Sequence, residues 1–91
     1  MIVRISGEDQ YRLANGDAKL AELDNAVVAT VEGNDEQGFA TAYTAMLDYV
    51  RSNGERVGDD ELEPSDLILP PPDLSLAEAG REFTGEGLIP D

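Results

Sequence analysis

The chain has 91 residues, with twenty acidic and six basic side chains, and carries a net charge of −14 at pH 7. This charge disfavours binding to nucleic-acid phosphates and to the surface of anionic membranes. The sequence has neither cysteine nor histidine, which excludes disulfides, Cys/His zinc sites and histidine-dependent catalytic triads. A chain of this length is expected to form one domain with a modest, mostly aliphatic core.

Residues 1–13 are predicted to form a β-hairpin. Val3 and Ile5 alternate with polar neighbours, which is the period-two pattern of a half-buried strand. Residues 7–10 have the composition of a turn, and residues 11–13 repeat the alternation. Because two strands alone are only marginally stable in water, we expect another element to cover their apolar face.

Two helices are predicted over residues 17–53. Asp17 is placed to cap the first helix, and Gly33 to end it in a left-handed conformation. The second helix is expected to begin after Asn34, with Gln37 three positions on completing a capping box. Because the connection is so short, the two helices are expected to fold back on each other as an antiparallel hairpin.

Both predicted helices carry apolar residues spaced three or four positions apart, which places them on one helical face. These residues are Leu20, Leu23, Val27, Val28 and Val31 in the first helix and Phe39, Tyr43, Met46, Leu47 and Val50 in the second. We expect the two faces to form the core of the domain. An open seam for a coiled-coil partner would need more heptads than the chain offers.

Residues 55–91 are more acidic than the rest, with 11 acidic and 2 basic side chains and a net charge of −9. The apolar run at 67–69 ends at three prolines, residues 70–72. A following proline is tolerated at the edge of a sheet, so this run is predicted to be a third, edge strand. The prolines are expected to act as an extended, polyproline-type spacer.

A short C-terminal helix is predicted over 75–84, because Ser75 and Glu78 form a second capping box. Residues 85–91 are expected to form a tail that contains a short apolar stretch at 88–90. The predicted fold class is therefore α+β: an N-terminal β-hairpin packed on an antiparallel two-helix hairpin, followed by a Pro-rich extended segment and a short helix.

No catalytic, cofactor-binding or metal-binding residue is assigned from the sequence. An acidic cluster invites a calcium hypothesis, and its members are Asp59, Asp60, Glu61, Glu63 and Asp66. The EF-hand pattern fails, since its sixth position is Pro64 and its twelfth is Pro70. Weak cation binding and a solvated loop remain the two alternatives. Carboxylate pairs are numerous by chance, so none indicates acid–base chemistry and no enzymatic activity is expected.

Three stretches of the chain are distinctive together: MIVRISGEDQYRL at 1–13, ELDNAVVATVEGND at 22–35 and DDELEPSDLILPPPDLSLAEA at 59–79. They resemble the PspA-associated protein family, PspAA, whose members are encoded beside PspA-type proteins in actinobacteria and archaea. The resemblance covers essentially the whole chain, and the block at 64–73 is its most specific part. The high acid content and single lysine suit a halophilic member.

This resemblance implies an accessory role in a phage-shock, or PspA-type, envelope-stress response. The implied partner is PspA, a long coiled-coil protein that assembles on stressed membranes, or a neighbouring component of the same system. The family has no established catalytic residues, so none is carried over. The expected location is the cytoplasm, and the charge implies that a membrane is reached only through a partner.

A partner contact is predicted at the proline-flanked segment, whose residues are Asp66, Leu67, Ile68, Leu69, Pro70, Pro71 and Pro72. The three aliphatic residues would anchor the partner and Asp66 would set the polarity. The alternative is that the aliphatic residues complete the core. A second functional hypothesis is a small acidic regulatory or inhibitor protein that covers a basic partner surface, as the charge of residues 55–91 suggests.

Overall fold

The computed structural model describes residues 1–14, 16–58 and 64–82. Within these ranges the elements are β1 (Ile2–Ile5), β2 (Gln10–Arg12), α1 (Ala18–Glu32), α2 (Glu36–Asn53), β3 (Glu55–Arg56), β4 (Leu67–Leu69) and α3 (Leu76–Glu82). The strands form one sheet in the order β3-β2-β1-β4. β1 pairs antiparallel with β2 and parallel with β4, while β2 pairs antiparallel with β3. The predicted α+β class is confirmed.

The predicted N-terminal hairpin is present, with Val3 opposite Tyr11 in its register. Val3 and Ile5 are fully buried and Arg4 between them is exposed, as the alternation predicts. The turn contains Gly7 at φ +81°, a left-handed conformation that glycine adopts without steric cost.

The predicted cap of α1 is confirmed, since the Asp17 carboxylate accepts a hydrogen bond of 3.1 Å from the Leu20 amide. The predicted start of α2 is wrong by one residue. Its cap is Asp35, which accepts a hydrogen bond of 2.9 Å from the Gly38 amide. Asn34 instead adopts the left-handed conformation, at φ 54°, that we had expected at Gly33. Asparagine tolerates this region, and a carboxylate at a helix N-terminus is favoured by the helix dipole.

The core lies between the helices and one face of the sheet. Its buried members are Val3, Ile5, Leu13, Leu20, Val27, Val28, Phe39, Tyr43, Met46, Leu47, Val50, Leu67, Leu69 and Ala79. The apolar stripe predicted for α2 is buried throughout, whereas Leu23 and Val31 of α1 are only partly buried. The rings of Phe39 and Tyr43 are stacked with their centroids 5.4 Å apart.

β3, a strand of two residues directly after α2, was not predicted from the sequence. The chain passes from helix to strand at Gly54, where the backbone runs very close to its neighbours. A Cβ atom there would lie 2.6 Å from the Val50 carbonyl oxygen and 2.8 Å from the Tyr11 Cβ. Glycine therefore permits α2 to end against β2.

β4 is confirmed as an edge strand, paired with β1 so that Leu67 lies opposite Val3 and Leu69 opposite Ile5. A parallel pair needs a long crossover connection, and the chain between the two strands includes both long helices. The predicted capping box before α3 is also confirmed, because the Glu78 amide donates to Ser75 Oγ at 3.2 Å. The predicted end of this helix, the acidic residues 59–63 and the tail at 85–91 lie outside the described residues.

We expect Leu69→Ala to lower the free energy of unfolding by about 2–5 kcal/mol, because it removes a fully buried side chain and leaves a cavity. Urea unfolding monitored by circular dichroism would measure the loss. Ile68→Ala is the matched control on the same strand, where exposure limits the expected change to within about 1 kcal/mol. Equal losses in the two variants would contradict the described orientation of β4.

The Tyr49 hydroxyl links the end of α2 to the start of α1 by donating to Asp17 Oδ1 and Oδ2, at 2.9 and 2.8 Å. This hydrogen bond raises the pKa of Tyr49, with further contributions from partial burial and from the negative charge of Asp17. Since the folded pKa lies above the ordinary value of 10.0, the stability that the neutral hydroxyl contributes is complete below that pH. It is lost as the pH rises through the folded pKa.

We therefore expect the stability of the wild type, relative to Tyr49→Phe, to be constant between pH 7 and 9 and to fall above pH 10, because only the wild type has the ionisable hydroxyl. Urea midpoints for both proteins across this pH series would measure the difference. If the urea midpoints of the two proteins keep a constant difference up to the highest pH of the series, Tyr49 has the same pKa in the folded and unfolded chains.

Candidate interaction surface at the edge of the sheet

Asp66 fixes the start of β4 through two hydrogen bonds with the first residue of β1. Its backbone amide donates to the Ile2 carbonyl at 2.8 Å, and its Oδ2 accepts from the Ile2 amide at 2.8 Å. The side chain thus substitutes for a backbone acceptor at this point of the sheet. Nothing in the structure tests the predicted role of Asp66 in partner contact.

The three aliphatic residues of β4 divide between the core and the surface. Leu67 and Leu69 face the core, with 8% and 0% of their surface exposed, whereas Ile68 is 60% exposed. Ile68 is the only exposed large hydrophobic residue among those described. Of the predicted apolar anchors, Ile68 alone therefore offers its side chain to a partner in this conformation, and Leu67 and Leu69 serve the core.

The prolines that follow β4 turn the chain toward α3. Pro70 is buried, and its carbonyl accepts a hydrogen bond from the Tyr43 hydroxyl. Pro71 and Pro72 are exposed, and the Pro71 carbonyl accepts from the Leu74 amide at 3.1 Å. The extended part of the segment therefore ends sooner than the triple proline predicts.

A shallow groove lies beside β4, with a volume of about 340 Å³. It is lined by Ser6, Ile68, Leu69, Pro70, Pro71, Leu74 and Glu78. Glu78 is the only charged residue among them. The groove thus combines apolar side chains, a similar extent of polar surface and one carboxylate.

The capping box of α3 holds this carboxylate in place. Glu78 Oε1 accepts hydrogen bonds from the Ser75 amide at 3.2 Å and from Ser75 Oγ at 3.0 Å. The sequence indicates the capping box, but the position of Glu78 beside β4 depends on how α3 packs. Ser6 and Leu74 were likewise missed, since neither belongs to a recognisable motif.

Two of the arginines are engaged in ion pairs away from the groove. Arg51 donates to both carboxylate oxygens of Glu8, at 3.1 and 2.7 Å, and also contacts Asp48 at 3.1 Å. The pKa of Arg51 is raised above its ordinary value, mainly by the hydrogen bond to Glu8. Arg56 pairs with Asp9 at 3.1 Å. These pairs join the β1–β2 turn to α2 and to β3.

No group of three or more potential metal ligands occurs among the residues that the structure describes. Asp66 is the one member of the predicted acidic cluster within those ranges, and its Oδ2 is used by the Ile2 amide. Within the same ranges, no helix has the length and apolar character needed to span a bilayer.

The fold and this surface define a small acidic α+β protein with an apolar strand edge. Comparison with known families identifies it further: the model for PspAA, described as PspA-associated protein, matches residues 1–91. The chain therefore belongs to the PspA-associated protein family, which links it to PspA systems. No curated protein and no solved structure matched the chain.

We expect Tyr43→Phe to lower the free energy of unfolding by about 1–3 kcal/mol, because the buried Pro70 carbonyl loses its hydroxyl donor. The measurement is urea unfolding, together with amide hydrogen exchange at Ser6, whose amide donates to the Leu69 carbonyl at 2.9 Å. The substitution should accelerate exchange more at Ser6, which is bonded to the end of β4, than at Leu20, which lies at the start of α1. Uniform acceleration would mean that Tyr43 stabilises the whole fold rather than the end of β4.

Proposed function

We propose that this protein is a non-enzymatic accessory of a PspA-type envelope-stress response and acts by contacting PspA or a neighbouring component. The observation that carries the proposal is the family match over residues 1–91. The edge of β4 supports it, since it offers an exposed Ile68 beside a groove with apolar walls and one carboxylate. Extended peptides bind several kinds of protein domain by adding a strand to an exposed sheet edge.

The charge of the protein supports an indirect route to the membrane. A net charge of −14 opposes direct docking on anionic lipid headgroups. Contact with a membrane-associated partner removes the need for such docking. In this proposal the protein resides in the cytoplasm and is brought to the membrane by its partner during stress.

Co-purification tests the proposal. The tagged protein, expressed in its own host, is expected to retain the neighbouring PspA-type protein at physiological salt, and to retain more of it under membrane stress. Ile68→Asp should reduce the yield of partner, whereas Thr44→Asp, at an exposed position of α2, is the control for the added charge. Absence of the PspA-type protein in both conditions would contradict the proposal.

The high acidity favours one competing function, a regulatory protein whose negative surface covers a basic partner. A contact dominated by charge weakens steeply as salt rises, because exposed ion pairs are screened. Repeating the co-purification at increasing salt separates the two functions. A partner whose yield Ile68→Asp reduces across the series supports the accessory role through apolar contact. A partner that is lost as salt rises, and whose yield Ile68→Asp does not reduce, supports the regulatory alternative.

A further inference from the structure

β4 exposes part of its backbone at the outer edge of the sheet. The Leu69 carbonyl points to β1, where it accepts a hydrogen bond of 2.9 Å from the Ser6 amide. In a strand the amide and the carbonyl of one residue point to the same edge, and successive residues alternate between the two edges. Because Leu69 bonds to β1, the amide and carbonyl of Ile68 point outward. No strand lies beyond β4 among the described residues. The segment therefore presents one donor and one acceptor next to an exposed aliphatic side chain.

The groove continues this edge toward α3. Leu74 and Pro71 supply apolar walls, and the Glu78 carboxylate stands beside them. Residues 64–80 hold three acidic side chains and no basic one. The nearest cation in the ladder is Arg4, opposite Ile68, and its Nη1 contacts the Glu8 carbonyl at 3.4 Å.

We propose that this groove binds an extended, basic segment of a partner protein, which adds to the outer edge of β4 as a further strand. Backbone hydrogen bonds to Ile68 would set its direction, an aliphatic side chain would cover Ile68 and Leu74, and a lysine or arginine would face Glu78. The volume of about 340 Å³ suits one or two such side chains. The inference deepens the proposed function, because it specifies how a partner would be held.

A second copy of this chain is a poorer occupant, since each copy carries a charge of −14 and the groove adds a carboxylate. Two such edges brought together would repel each other, whereas a basic strand is attracted.

The test uses the full chain, labelled with ¹⁵N, and the peptide Lys-Val-Lys-Val-Lys-Val-Lys with blocked ends. Chemical-shift changes are expected at Ser6, Ile68, Leu74 and Glu78, which line the groove. Ile68→Thr keeps the β-branched shape but removes apolar contact, and should weaken binding about tenfold. A peptide with its valine amides N-methylated should also bind more weakly, because it cannot complete the strand pairing.

The contribution of charge is measured with two conservative variants. Glu78→Gln keeps an acceptor for Ser75 and should weaken binding about twofold, as expected for one exposed ion pair. Glu55→Gln, on β3 at the opposite edge of the sheet, is the matched control and should leave binding unchanged.

Several results would overturn the inference. They are no binding, equal binding of the Lys-Lys-Lys-Lys-Val-Val-Val peptide, or affinity unchanged by Ile68→Thr. Ile68 signals that depend on protein concentration alone would assign the edge to a second copy. Contacts of Ile68 with another segment of the same free chain would show the groove already filled.

The proposed function and this inference can fail separately. If Ile68→Thr leaves co-purification of the PspA-type protein unchanged, the proposed function stands and binding by strand addition is wrong. If the peptide binds and the variants have the expected effects, but no PspA-type protein co-purifies, binding by strand addition stands and the proposed function is wrong.

Discussion

The pairing of β1 with β4 joins segments that lie far apart in the chain, and much of the structure depends on it. The hydrogen bond between the Ile2 amide and Asp66 spans 64 positions. Leu67 and Leu69 reach the core only because this pairing holds β4 in register with Val3 and Ile5. The edge that β4 presents, and the groove beside it, exist for the same reason.

Hydrogen bonds outside the sheet hold the chain that follows β4. The Tyr43 hydroxyl, from the middle of α2, holds the Pro70 carbonyl, and the Ser75–Glu78 capping box starts α3 nearby. The chain on the C-terminal side of Ile68 is therefore held by side-chain hydrogen bonds. A surface held in this way needs little ordering on contact, and less ordering leaves more of the interaction free energy for affinity.

Sequence patterns predicted the elements whose burial follows a simple period. The stripe of α2 and the alternation of Val3 and Ile5 are long or regular enough to identify one buried face. β3 has two residues and no period, so pairing with β2 alone defines it. The cap at Asp35 was missed because Asn34 and Asp35 are both good caps, and backbone geometry selects between them.

The candidate surface was predictable only in part. The sequence drew attention to residues 66–72, but the direction of each side chain depends on which face of β4 meets the helices. That choice places Ile68 outside and its two neighbours inside. Glu78 and Leu74 reach the groove because the chain after β4 turns back and α3 packs on α1 and α2, which no local pattern encodes.

The strand order also affects how the chain folds during its synthesis. β1 is synthesised before its parallel neighbour β4, and both long helices lie between them in the chain. While synthesis proceeds, the emerging hairpin and helices lack two of their buried leucines and one side of the central strand. Such late, long-range closure raises contact order and slows folding. Until translation supplies β4, the nascent polypeptide leaves this edge of β1 unpaired.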